Sequence, residues 1–108
     1  GGFVRLGGKA AEPVGRIGEH NTLRAITMGT GLARHHLIEK RFARLFGQTP
    51  GKVLSVVLDR ETHQQFTNLW RETIPYGLGT RTATREQVLE AARRVYAGFP
   101  EYLKALGL

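Results

Sequence analysis

Three of the four histidines in this chain stand in two short stretches. His35 and His36 are adjacent in Arg34-His35-His36-Leu37-Ile38, and His63 lies in Asp59-Arg60-Glu61-Thr62-His63-Gln64-Gln65-Phe66. Imidazole titrates near neutral pH and is the commonest metal ligand, so such a set suits proton transfer, metal binding or both. Hydrolysis of a phosphodiester asks for a base to activate water and for positive charge at the scissile phosphate and leaving oxygen. One divalent cation and one neutral histidine supply those roles, provided that ligands from two places are held at a fixed separation. Arg34, Lys40 and Arg41 flank the pair, and each can hold phosphate through charge-assisted hydrogen bonds. His20, isolated in Gly18-Glu19-His20-Asn21, stands outside the set with Glu19. Glu61 is assigned to the first turn of a helix, where the dipole favours an acid.

The elements that must position these residues are readable in part. Val53–Leu58 is the clearest strand, rich in β-branched residues and too apolar to lie exposed. Asp59 follows as an N-cap for a helix expected over Arg60–Thr73 and stopped by Pro75. On that helix His63, Phe66, Thr67 and Trp70 share one face, which turns His63 inward. His35–Ile38 is expected as an extended segment or loop before a helix whose apolar face is Ile38, Phe42, Leu45 and Phe46, with Gly47 as its stop and a turn at Pro50-Gly51. Thr84 and Gln87 form a capping box for a helix with the stripe Val88, Leu89, Ala92, Val95 and Tyr96. Gly98 ends it, and Pro100 opens a final turn through Leu106. These last helices read as scaffold, with Arg81, Arg85, Arg93 and Arg94 on solvated faces. Before residue 33 the density of glycine argues against long regular elements, leaving Phe3–Leu6 as a short strand and Leu23–Met28 as a strand or helical turn.

Adjacent residues of a regular strand face opposite sides. His35 and His36 therefore serve one metal only if their backbone is irregular; otherwise one of them is structural. His63, beside Phe66 and Trp70, also fits a packed core histidine.

The 108 residues suit a single domain, and 41% hydrophobic content is enough for a globular fold. Sixteen Lys and Arg against nine Asp and Glu, a formal +7, favour a polyanionic partner over a neutral one. No apolar run is long enough to span a bilayer, and the absence of cysteine excludes disulfides and thiolate metal sites. The start at Gly1-Gly2-Phe3 is read as the mark of a piece or a processed product of a longer polypeptide.

His35-His36-Leu37-Ile38 followed, after a strand and a turn, by His63 at the head of a helix resembles the HNH/endonuclease VII superfamily. More narrowly, it is similar to the histidine-pair nuclease domains at the C-termini of bacterial polymorphic toxins. The resemblance covers roughly residues 30–75. It implies a ββα-metal finger, so the expected fold is α+β: an irregular Gly-rich wrap or linker over 1–30, the HNH-like core over 31–75, and C-terminal helical scaffold over 76–108. It further implies His36 as general base, with His35 and His63 as metal ligands completing the catalytic set. Mg²⁺ or Mn²⁺ is the expected cation, and Zn²⁺ or Ni²⁺ also suits imidazole. Two departures stand out. No asparagine lies between His36 and His63 to orient the base, and Thr67 occupies the place one turn after His63 where some members carry a second helical histidine. At most two histidines then hold the metal, with water and phosphate completing its shell.

By the same resemblance the chain is expected to cleave DNA, with RNA also open as a substrate. It would be the toxin domain of a larger secreted bacterial effector with upstream delivery domains. It would be secreted or injected by its producer, act in the target-cell cytoplasm, and be blocked in the producer by an immunity protein. The +7 charge suggests an acidic one. Two other readings compete: a non-catalytic basic nucleic-acid-binding module, and a protein-interaction domain whose histidines form a packed or zinc-stabilised knot.

Overall fold

A computed structural model of the chain describes residues 13–108, so the strand expected at Phe3–Leu6 lies outside the described residues. The fold is α+β. Its centre is strand β3 (Leu54–Leu58), close to the span expected from its β-branched run, with every residue after Leu54 buried. β1 (Ile17–Glu19) and β2 (Ala33–His36) flank it antiparallel, in the order β1-β3-β2. β1 falls in the stretch expected to be irregular. Its three residues carry too little pattern to announce a strand. They are extended because β3 offers a free row of backbone groups, and the pairing runs on through Gly15 N to Val57 O and His20 N to Val53 O.

Alternation along β3 sorts the core. Val56 and Leu58 join the main cluster with Leu37, Phe42, Trp70, Val88 and Tyr96. Ser55 and Val57 point to the other face and are also fully buried. Near that second face the segment expected as strand or helical turn forms α1 (Arg24–Thr27). Leu23, just ahead of it, packs so closely on Gly18 that a Cβ there would lie 3.3 Å from the leucine side chain.

Between β2 and β3 the expected apolar face appears, with Ile38, Phe42 and Ala43 buried, but Lys40–Phe46 is a 3-10 helix rather than an α-helix. The Arg44 side chain donates through Nη1 to the Arg41 carbonyl at 2.6 Å. Gly47 ends the segment at φ 66°, a left-handed conformation that glycine adopts without steric cost.

The long helix α2 occupies Arg60–Thr73 as expected. Asp59 accepts from Thr62 N at 2.8 Å, while Phe66 and Trp70 are buried. Its C-terminal end is held by Arg41, whose Nη1 and Nη2 donate to Ile74 O (2.6 Å), Pro75 O (3.3 Å), Trp70 O (3.5 Å) and Thr80 Oγ1 (2.6 Å). The fifth donor, Nε, meets Glu39 Oε1 at 2.8 Å. A cation among the last carbonyls of a helix satisfies groups that have no amide partner. The chain continues through α3 (Leu78–Thr82) to α4 (Arg85–Val95), which begins in the expected Thr84–Gln87 capping box, and ends with α5 (Pro100–Ala105). Among the described residues no helix is long and apolar enough to cross a membrane.

Arg41→Met should therefore act on stability first. The Glu39 and Arg41 side chains are each only 14% exposed, so removing the guanidinium leaves a largely buried carboxylate and the Ile74 and Pro75 carbonyls without this partner. A loss of about 3–5 kcal/mol is expected in urea unfolding. A loss below about 1 kcal/mol, the size of an exposed ion pair, would show that the arginine is a surface residue.

Candidate histidine site

β2 is regular, and its register sets His35 opposite Val56 and His36 opposite Ser55, so the two rings leave the strand on opposite faces. They nevertheless line one cleft of about 520 Å³, together with His20, His63, Arg34, Lys40, Thr67 and Tyr76. The reconciliation lies in the sheet order. β2 is an edge strand, and a cleft that wraps an edge receives side chains from both faces.

His35 points inward and is 2% exposed. Counting hydrogen bonds fixes its tautomer. The Tyr96 hydroxyl donates its single proton to Leu37 O at 2.6 Å and accepts from Trp70 Nε1 at 3.1 Å. At 2.8 Å from that oxygen, His35 Nε2 must be the donor that fills the remaining lone pair. His35 Nδ1 is then bare, and it faces His63 Nδ1 at 3.2 Å. His63 reaches this point because Asp59 caps α2 directly after β3 and the first turn aims its ring at the strand. In this state His63 Nδ1 carries the proton between the rings. Burial, reinforced by His63 and His36, pulls the His35 pKa down to about 3. Burial and then Arg60 also lower that of His63. Both imidazoles are neutral at pH 7, the form in which they coordinate metal.

His36 sits on the other face with a different partner. Its Nε2 lies 3.1 Å from Pro50 O, which can only accept, so Nε2 is protonated and Nδ1 carries the lone pair. Burial lowers its pKa, the Pro50 bond works the other way, and Lys40, Arg34 and His63 lower it further. His20, placed outside the candidate set on sequence grounds, stacks on His36 with centroids 3.8 Å apart and planes inclined by 13°. Ser55 Oγ is 2.9 Å from His20 Nδ1, and Arg34 Nη1 donates to His20 O at 2.8 Å. Asn21 N donates to Gly51 O, and a Cβ at Gly51 would run into the Asn21 side chain. The end of β1 thus braces both the base-like histidine and the turn that supplies its acceptor.

The three basic residues expected at phosphate divide. All three line the cleft; Lys40 is exposed and Arg34 half-buried, while all five donors of Arg41 are directed at protein acceptors. Arg41 is a brace for α2. Among the described residues no group of three His, Cys, Asp or Glu side chains is arranged to hold a metal ion. Tyr96 and Ser55 are the site residues that pattern reading does not find. Tyr96 belongs to a helical apolar stripe, and nothing in that periodicity reveals where its hydroxyl goes. No protein-family model matches the chain, and comparisons with curated proteins and with solved structures return no match.

Two outcomes follow from this geometry. Tyr96→Phe keeps the ring but strips Leu37 O, Trp70 Nε1 and His35 Nε2 of their common partner, so a loss of about 1–3 kcal/mol in stability is expected. ¹⁵N ring shifts should show His35 passing from one tautomer to a mixture, and an unchanged His35 spectrum would contradict the hydrogen-bond count. The second concerns pH. With a folded pKa near 3 against 6.5 unfolded, His35 binds more protons unfolded across that window, so its contribution to stability is complete above 6.5 and falls with acidification. His20, lowered to about 4, acts with the same sign. The slope from His35 alone approaches about 1.4 kcal/mol per pH unit, and urea midpoints that stay flat between neutral and mildly acidic pH would refute it.

Proposed function

We propose that this domain is a metal-dependent HNH-type endonuclease that cleaves DNA, acting as the toxin domain of a larger secreted bacterial effector. The order β2, β3, α2 is the ββα order that the resemblance implies, with the histidine pair on the first strand and His63 on the helix. The observation that carries the reading is the His35–His63 pair, two neutral imidazoles whose Nδ1 atoms are 3.2 Å apart, beside His36 with its own Nδ1 bare. Two nitrogens bound to one divalent cation at about 2.0–2.1 Å stand about 3.0 Å apart in cis octahedral and about 3.4 Å in tetrahedral geometry. The observed separation, here that of the His63–His35 hydrogen bond, is compatible with both nitrogens as ligands of one ion. His35 and His63 would hold it once the His63 proton moves to Nε2, and solvent and phosphate would complete the shell. When bound, a divalent cation supplies Lewis acidity at the scissile phosphate and the leaving oxygen.

The chain's own residues do the rest. His36 Nδ1 takes a proton from the attacking water, and the Pro50 carbonyl steadies the imidazolium through Nε2–H. With no asparagine between His36 and His63, orientation of the base falls to Pro50 O on one side and the His20 ring on the other. Arg34 and Lys40 hold flanking phosphates. With all four histidine pKa values lowered by burial, the base is neutral and ready at pH 7. Within the same proposal the domain is delivered by upstream regions of a longer polypeptide, works in the target-cell cytoplasm, and is neutralised in its producer by an acidic immunity protein matched to the +7 charge.

The test is cleavage of plasmid DNA, single-stranded DNA and RNA with Mg²⁺, Mn²⁺ or EDTA. His36→Ala should slow metal-dependent cleavage by about 10²–10⁴-fold with the fold intact. His63→Ala should abolish it together with metal affinity measured by calorimetry. Nucleic-acid binding without cleavage under every metal would sink the proposal in favour of a non-catalytic binding module.

A further inference from the structure

Tyr76 is 51% exposed, yet it lines the same cleft as the histidines. Its ring is not loose. The Arg41 guanidinium carbon lies 4.8 Å from the ring centroid, and that guanidinium is itself locked by bonds to Glu39, Thr80 and the carbonyls of Ile74 and Pro75 immediately before the tyrosine. One side of the phenol is therefore backed by a fixed cation, while half of its surface is left to solvent on the cleft that Lys40 and Arg34 also line. A pre-positioned aromatic face next to a basic track is the arrangement that binds single strands: phosphates follow the cations and a base stacks on the ring. A base inside a duplex has both faces covered by its neighbours and cannot make that contact.

We propose that Tyr76 is a stacking platform for the nucleobase beside the scissile phosphate, and that the substrate is single-stranded or locally unpaired nucleic acid. This rests on the nuclease reading for the location of the phosphate, but the stacking itself does not require cleavage. Arg41 acts here through Tyr76, by holding the ring and its loop. The chemistry recognised is the π-face of a base, which DNA and RNA share, so strand identity is decided by the arms of the experiment.

Fluorescence anisotropy in EDTA, where no metal-dependent cleavage proceeds, measures binding of the intact domain to a short single-stranded DNA, the matching RNA and a hairpin duplex. The wild type should bind the single strands about tenfold or more tighter than the duplex, a preference of the size one stacked base supplies. Tyr76→Ala and Tyr76→Leu should weaken single-strand binding about 5–100-fold and leave the duplex within about twofold, while Tyr76→Phe keeps wild-type affinity. A strand carrying 2-aminopurine should change its emission on binding to the wild type and to Tyr76→Phe, and not to Tyr76→Leu. Equal losses on single strand and duplex, no loss at all, no binding, or a wild-type preference for duplex would each overturn the proposal. Tyrosine-dependent single-strand binding without cleavage under any metal would instead uphold the platform and remove the nuclease reading.

Discussion

The hydroxyl of Tyr96 is the point on which the site depends. One oxygen, buried in the core, joins four parts of the chain: it donates to the carbonyl of Leu37 just past β2 and accepts from Trp70 on α2 and from His35 on β2, while its own ring comes from the C-cap of α4. Its one proton and two lone pairs are all used, which leaves no freedom over where the His35 proton sits. Burial pushes the phenol pKa far above its ordinary value, so the group stays protonated and keeps its donor at any pH the fold survives. The tautomer of a histidine in the cleft is thereby set from a helix that contributes nothing else to it.

Arg41 plays a comparable part on the other side of the cleft. It gathers the C-terminal carbonyls of α2, the hydroxyl of Thr80 and the carboxylate of Glu39, and stacks against both Phe42 and Tyr76. Burial raises the Glu39 pKa by more than the Arg41 bond and charge lower it. The Tyr96 and Arg41 knots both hold the C-terminal half of α2, at Trp70 and just past its end at Ile74 and Pro75, while Phe66 stacks on His35 nearer its start. His63, in the first turn of α2, meets His35 directly at 3.2 Å.

Position at the sheet edge explains how two histidines that leave a strand in opposite directions share one cleft. It also explains their division of labour. His35 faces the helices and is packed against Phe66, whereas His36 faces β1 and is packed against His20. The criterion that a regular strand makes one of the pair structural is met in an altered form: His35 is structural by burial and still presents its unprotonated nitrogen to His63. In the proposed cleavage reaction the two faces correspond to metal ligation and proton transfer, which must approach the phosphate from different sides.

What the sequence determined by itself is whatever depends on neighbours along the chain. The β-branched run of β3, the Asp59 cap and Pro75 stop of α2, and the Thr84–Gln87 box of α4 are local chemistry, and each element appears with nearly the expected bounds. His63 is inward for the same reason, since helical spacing from Phe66 and Trp70 is enough to place it. Tertiary structure alone decided the rest. β1 exists because β3 had an unpaired edge, the Lys40–Phe46 segment is a 3-10 helix, and Arg41, on the cleft, spends its donors on bracing a helix end. His20 entered the site only because β1 pairs with β3 and sets its ring on His36, and Tyr96 only because a stripe that reads as scaffold ends in a hydroxyl. Periodicity reports which face of an element is buried. It carries no record of the partner across the core, because that partner is fixed by hydrogen-bond geometry between residues as far apart as His35 and Tyr96.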